Sequence, residues 1–204
     1  MPRPRGPARE QLLGAAQALL LERGYEATAL DDVCARAGAT KGALFYHFAS
    51  KEELAAAAVA RFYDQLVRAG QQASAGAQAA ADPDAVLRSY LDTIVALLRD
   101  PLLARGCLLG AMALETPQTH PAVAGAAEAA LARWHATLAE LIGAAASHHG
   151  GELDAGSLAD GLLAAIEGGL LLDRAKPTNP SAVAAVTHFA RYLELTLRQG
   201  GDQP

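Results

Sequence analysis

A chain of 204 residues, just over half of them hydrophobic, is long enough to bury a real core as one large or two small domains. Alanine and leucine dominate the apolar part, aromatics make up only 5% and no run of strand formers stands out, so an all-α fold is expected and a β architecture is not. The net charge of −5 is poor for a nucleic-acid binder only until it is divided: residues 1–47 carry six Lys/Arg against five Asp/Glu, and the acidic excess lies beyond them.

The basic tail PRPRG (residues 2–6) reads either as a solubilising terminus or as an arm in which Arg3 and Arg5 touch phosphate or minor groove. A helix is predicted over 7–23, with Pro7 in its first turn, Gly24 as its stop, and Leu12, Leu13, Ala16, Leu19 and Leu20 on one side. Thr28, three residues before Asp31, is expected to cap the next helix and to donate to a phosphate. In that helix Leu30, Val33, Cys34 and Ala37 fall at i, i+3, i+4 and i+7, one apolar face. Gly38 stands where a helix end needs a left-handed residue, and Thr40 then caps a short helix over 41–47. Ser50 with Glu53 forms an S-x-x-E capping box for the helix after it. Helix, glycine turn and short helix describe a helix-turn-helix, whose second helix can enter the major groove. Ordinary αα-hairpins share that spacing. The residue types separate the two: Lys41, Gly42, Ala43, Phe45, Tyr46 and His47 are small, aromatic or cationic, with no carboxylate, which suits a phosphate-lined groove.

A long helix follows from Lys51 to about residue 77, with Leu54, Ala58, Phe62, Leu66 and Ala69 at helical spacing. Asp82-Pro83 and Asp100-Pro101 each pair an N-cap aspartate with a first-turn proline, predicting helices over about 83–99 and 101–114. Further helices are predicted over about 121–148, ended by Gly150-Gly151, over 154–174, and from Asn179-Pro180 to about Arg198. The last two carry wide apolar faces: Leu158, Leu162, Ala165, Ile166, Gly169 and Leu170 on one, and Val183, Val186, Ala190, Leu193 and Leu197 on the other.

Residues 9–54 resemble the DNA-binding domain of the TetR family of bacterial transcriptional regulators. The resemblance is carried by Arg9, Leu12, Ala15, Ala16, Gly24, Tyr25, Thr28, Val33, Ala37, Gly38, Thr40, Lys41, Gly42, Leu44, His47, Phe48, Lys51, Glu52 and Leu54. The family usually has tyrosine where this chain has Phe45, so a phenolic contact is lost there and Tyr46 is the neighbour able to supply it. The resemblance implies about nine helices: a three-helix DNA-binding domain over 1–50 and a helical ligand-binding and dimerisation domain over 51–200. It implies Thr28, Thr40, Tyr46, His47 and Lys51 on phosphates, and Lys41, Gly42, Ala43 and Phe45 on base edges or the sugar wall. Ala43 and Phe45 offer only apolar contact, for which thymine methyls are the natural targets. It also implies a homodimer joined by a four-helix bundle, here through Leu158, Leu162, Ile166, Gly169, Val186, Ala190, Leu193 and Leu197. A two-fold dimer has its own physical logic, because one short helix contacts few base pairs and two read half-sites about 34–36 Å apart.

The expected function is therefore a cytoplasmic repressor released from a palindromic operator by an effector. The alternative is a helical small-molecule-binding protein without specific DNA binding. The start of the chain lacks a signal-peptide core and no uninterrupted apolar run reaches membrane length. Bulky residues on the central helices, Phe62, Tyr63, Tyr90, Met112, Glu115, Trp134 and His135, are candidates to line an effector pocket; each is equally an ordinary core or surface residue. Cys107 joins them because RGCLLGAMALE resembles the Gly-Cys-Leu segment of a family branch in which some members sense electrophiles or oxidants. In that branch a lysine lies near the position of Arg174, and a nearby cation favours the thiolate; the other reading of Cys107 is a small buried hydrophobe. His148, His149 and Glu152 do not make a metal site, since adjacent histidines leave a helix on different faces. No nucleophile motif surrounds Cys107 with His120 or His135, and no phosphate-binding glycine loop occurs, so neither an enzyme nor a cofactor is expected.

Overall fold

In a computed structural model the described residues are 6–100, 105–151, 153–176 and 180–200. Among them are nine helices: α1 (Pro7–Arg23), α2 (Leu30–Ala37), α3 (Lys41–His47), α4 (Lys51–Ala79), α5 (Pro83–Leu98), α6 (Leu108–Glu115), α7 (Pro121–His148), α8 (Ala155–Ala175) and α9 (Ser181–Gly200). The all-α expectation holds. The Arg3/Arg5 arm lies outside the described residues.

The chain divides into two compact units, and these do not follow chain order. Residues 107–131 group with the N-terminal residues up to Gln65, while 66–106 group with 132–204.

The first unit is built around α1. Pro7 supplies a preset φ for its first turn, and Gly24 stops it at φ +80 with its N–H on the Leu20 carbonyl. Leu12, Leu13, Ala16, Leu19 and Leu20 are buried as the periodicity demands, each leucine worth roughly 1.5–3 kcal/mol of transfer free energy. Val33 and Cys34 of α2, Leu44 of α3, Phe48, and Leu54, Ala58 and Phe62 of α4 complete this core. Buried Gln17 is met by Arg61, whose Nη1 lies 2.6 Å from its Oε1. Gly38 takes the left-handed conformation (φ 60, ψ 31), and Ala39 N–H reaches back to Cys34 O at 2.9 Å, closing α2. Thr40 Oγ1 accepts from Ala43 N–H at 3.1 Å, and Ser50 Oγ accepts from Glu53 N–H at 3.0 Å. The Glu53 carboxylate closes its box on Ala49 N–H, one residue before the cap.

One cap is not where the sequence placed it. Ala29, not Thr28, is the N-cap of α2; Thr28 is buried and its hydroxyl donates to Gly24 O at 2.6 Å, spending itself on the α1–α2 connection.

The second unit pairs α8 with α9 and packs α5 against α9. Asp82 caps α5 through Ala85 N–H and Asp154 caps α8 through Ser157 N–H. Asp173 of α8 does the same for α9, accepting from the backbone N–H groups of Ser181 and Ala182. The helix expected over 101–114 is corrected: α6 begins only at Leu108, and residues 101–104 lie outside the described part. Gly106, at φ +145, adopts a backbone no α-helix contains, so the helix starts beyond it. By length and composition α8 could cross a membrane, yet its apolar stripe (Ala159, Leu162, Ile166, Gly169 and Leu170) is buried within the protein.

Candidate nucleic-acid interface

The site is α3 with its capping turn. Leu44, fully buried, anchors the helix, and this forces its neighbours outward: Lys41 and Gly42 are exposed, as are Phe45 (50%) and Tyr46 (60%). Ala43 and His47 lie half-buried at the margin. Two aromatic rings left in water on one short helix form a surface suited to a sugar wall or base edges. Tyr46 and His47 meet edge to face at 5.0 Å, and His47 Nδ1 is buried with no hydrogen-bond partner among the described residues.

Both aspartates of the first turn of α2 are taken up: Asp31 by Lys41 at 2.7 Å and Asp32 by Arg23 at 2.8 Å. Neither pair is shielded from solvent, so each contributes little to stability, but together they cancel the carboxylates nearest α3. The hydrogen bond to Asp31, followed by its charge, raises the Lys41 pKa above the ordinary lysine value and keeps it cationic.

Several expected contact residues have other work. Thr40 uses an oxygen lone pair for its cap and, being exposed, keeps its hydroxyl proton free to donate outward. Lys51 is engaged within the protein: its ammonium lies 4.3 Å from the Tyr25 ring centroid and donates to Glu26 O at 3.3 Å. Thr28 is too buried to reach a phosphate as the chain stands.

Glu115 also has a different place. Its carboxylate accepts from the backbone N–H groups of Tyr25 (2.9 Å) and Glu26 (3.1 Å), clasping the α1–α2 connection from the end of α6. Gly24 is favoured there by its φ of +80, and a Cβ, 2.7 Å from Glu115 Oε2, would push the carboxylate from its place. His120 completes the arrangement, with its ring 4.1 Å from that of Tyr25 and Nε2 2.9 Å from Glu26 Oε1. Burial, then the charges of Glu52 and Glu26, raises the Tyr25 pKa. No local pattern encodes a contact between residues 90 apart, and an acid ending an apolar helix was the one available signal.

The remaining pocket candidates are divided between the two units. Phe62, Tyr63, Cys107 and Met112 are buried in the first unit, whereas Tyr90, Trp134 and His135 belong to the second. Trp134 is buried with Nε1 unpartnered among the described residues, and His135 is held by Gly156 O and Asp160. A cleft of about 730 Å³ in the second unit is lined by none of these eight. Cys107 is buried at the N-cap of α6, without a side-chain cap bond.

The residues expected at the dimer face have contacts within the single chain. Leu162, Ile166, Gly169, Val186, Leu193 and Leu197 are buried within the single chain, and Leu158 and Ala190 are half-buried. Gly169 shows why: a Cβ there would lie 2.4 Å from Ala182 Cα, so this face is closed by the packing of α8 on α9. The apolar side chains left outside on these helices are Leu171, Leu172, Tyr192 and Leu195. Among the described residues no group of three or more His, Cys, Asp or Glu could hold a metal.

A helix-turn-helix with an aromatic, acid-free reading helix, carried on an all-α chain, defines a DNA-binding regulator rather than an enzyme. Residues 12–58 match the model of the bacterial regulatory proteins of the tetR family and residues 85–189 that of the tetracyclin repressor-like C-terminal domain; the chain belongs to the TetR family of transcriptional regulators. The HTH-type transcriptional activator FasR of Mycolicibacterium smegmatis is 44% identical over 70 residues, 34% of this chain and 32% of that protein. The HTH-type transcriptional repressor DhaR of Mycobacterium sp. strain GP1 is 32% identical over 111 residues, 54% of this chain and 53% of that protein. The chain thus spans 32% and 53% of these two relatives' lengths. In fold it is similar to SCO4454, a TetR-family transcriptional regulator from Streptomyces coelicolor, with a TM-score of 0.77 at 24% identity, covering 96% of this chain and 97% of that one. Regulators of this family bind operator DNA and act as dimers with small-molecule ligands.

Proposed function

We propose that this chain is a homodimeric repressor that reads a palindromic operator through α3 and releases it when the second unit binds a small molecule. The observation that carries the reading is the exposed, acid-free face of α3, with Lys41, Gly42, Phe45 and Tyr46 presented by a buried Leu44. Phe45 and Ala43 supply apolar contact to thymine methyls, Lys41 a donor to base edges or the sugar wall, and Thr40, Tyr46 and His47 hydrogen bonds to phosphate. Lys51 donates one N–H to Glu26 O and keeps two further donors for a phosphate. The second copy covers Leu171, Leu172 and Tyr192, which are costly to leave in water. Effectors include thiol-reactive compounds if Cys107 leaves its buried position.

The test is a titration of purified protein against its own upstream DNA at two salt concentrations. The expected result is nanomolar binding that weakens with salt and outcompetes random DNA. Affinity no better than for random DNA, there and in a genome-wide fragment selection, would leave a helical small-molecule-binding protein as the correct reading. Effector screens on the same titration, repeated with Cys107→Ser, separate thiol chemistry from reversible binding.

A further inference from the structure

We propose that the cleft between α5 and α9 binds an amphipathic amine, its apolar body on a floor of leucines and its protonated nitrogen on Asp84. The cleft measures about 730 Å³, the size of a site for a small organic molecule. Its floor is formed by Leu87 and Leu91 of α5 and Leu193 and Leu197 of α9.

The chemistry of the polar end follows from Asp84, which lines this cleft in the first turn of α5. One oxygen, Oδ2, is satisfied by His149 Nε2 at 2.9 Å. The other, Oδ1, is buried and has no hydrogen-bond partner among the described residues. A buried carboxylate oxygen without a donor is expensive, and the cost is recovered only when a donor arrives. A protonated amine supplies both the donor and the opposite charge, and the leucine floor gives the rest of such a molecule somewhere dry to lie.

The cleft also carries Arg88, Arg191 and Arg198, which raises the opposite chemistry, an organic anion. These arginines are exposed, and each has a carboxylate one helical turn away: Asp84 and Asp92 flank Arg88, and Glu194 lies between Arg191 and Arg198. Their exposure leaves their charges hydrated. Asp84 is the group held partly out of water with a vacant acceptor, and so it sets the class of ligand.

The ligand site stands without any DNA. Its use as the effector site rests on the reading under Proposed function.

The full-length protein is titrated with decylamine, decanol and decanoate, each below its micelle-forming concentration, by calorimetry and thermal shift. Decylamine is expected to bind saturably and raise Tm, decanol to bind about tenfold or more weakly, and decanoate not to bind. Asp84→Asn should weaken decylamine by about tenfold or more while leaving decanol unchanged. Ala190→Phe, which fills the cleft from its half-buried wall, should abolish both and tests the site should the Asp84 variant be unstable. Decanoate binding best, with loss in Arg191→Ala, overturns the amine assignment in favour of an anion site. No saturable binding, or binding indifferent to both Asp84→Asn and Ala190→Phe, overturns the site itself. Decylamine that binds but leaves operator affinity unchanged removes only the effector role. Absence of operator binding leaves the titration without DNA intact, so the two failures are distinguishable.

Discussion

Phe45 and Tyr46 lie on the same short helix as Leu44, and the buried leucine dictates the exposure of the pair. Because neither ring packs into the core, Phe45→Ala and Tyr46→Ala should leave stability within about 0.5 kcal/mol of the parent. Each should weaken operator binding by about 1–3 kcal/mol. Fluorescence anisotropy with a parallel thermal melt checks this, and a melting loss without an affinity loss would reassign the ring to packing. Cys34 offers a pH test. Burial, then the charge of Asp31, raises its thiol pKa, with Lys41 opposing. A raised thiol pKa means the folded state holds the proton that the unfolded chain gives up near its ordinary value of about 8.5. The stabilising contribution is thus complete below that pH and is lost as pH rises through the folded pKa. Native alkylation of Cys34 should accordingly be slower than that of a free thiol at pH 8, and stability should fall above about pH 8.5 more in the parent than in Cys34→Ala. Equal slopes in the two would remove Cys34 from the pH profile.

At the scale of elements, the helix ends were legible because their signals are local. Gly38, Thr40, Ser50 and Asp82 each act within four residues of their own position, and a linear reading finds them. Thr28 misled because a hydroxyl beside a helix start has two local partners, and Gly24 O won over the N-terminus of α2. Contacts between elements were not legible. Nothing near Glu115 announces Tyr25, and nothing near Gly169 announces the Ala182 backbone. That second contact is directly testable. A methyl at Gly169 would meet backbone atoms at 2.4 and 2.9 Å, which cannot rotate away, so α8 and α9 must separate. Gly169→Ala should cost about 1–3 kcal/mol, lowering Tm by several degrees in a chain of this size. Gly125→Ala in α7 is the control: a Cβ there meets nothing within 4 Å, and the helix should gain up to about 1 kcal/mol. Calorimetric melts of both decide whether close packing or helix propensity sets the sign.

For the whole molecule the question is which apolar face meets a second copy. Hydrophobic periodicity marked the face of Leu162, Ile166, Val186 and Leu193, and the chain uses that face itself. The pattern could not distinguish the two uses, since burial by one's own helix and by a partner's helix select the same residue types. What remains outside on α8 and α9 is a smaller set, and Leu172 (51% exposed) and Tyr192 (52%) are its members best suited to a test. The double variant Leu172→Glu/Tyr192→Glu places two carboxylates where a two-fold interface would set them against two more. Such repulsion costs several kcal/mol in a desolvated interface, whereas in the isolated chain both positions face water and helicity should not change. Light scattering should then show a monomer at micromolar concentration where the parent is a dimer. Operator affinity should fall by about a hundredfold or more, toward non-specific levels, because a single α3 cannot engage both half-sites. A dimer that survives both substitutions would move the two-fold axis away from α8 and α9. A monomer that still binds the operator at full affinity would show that one reading helix suffices, and would end the palindromic reading.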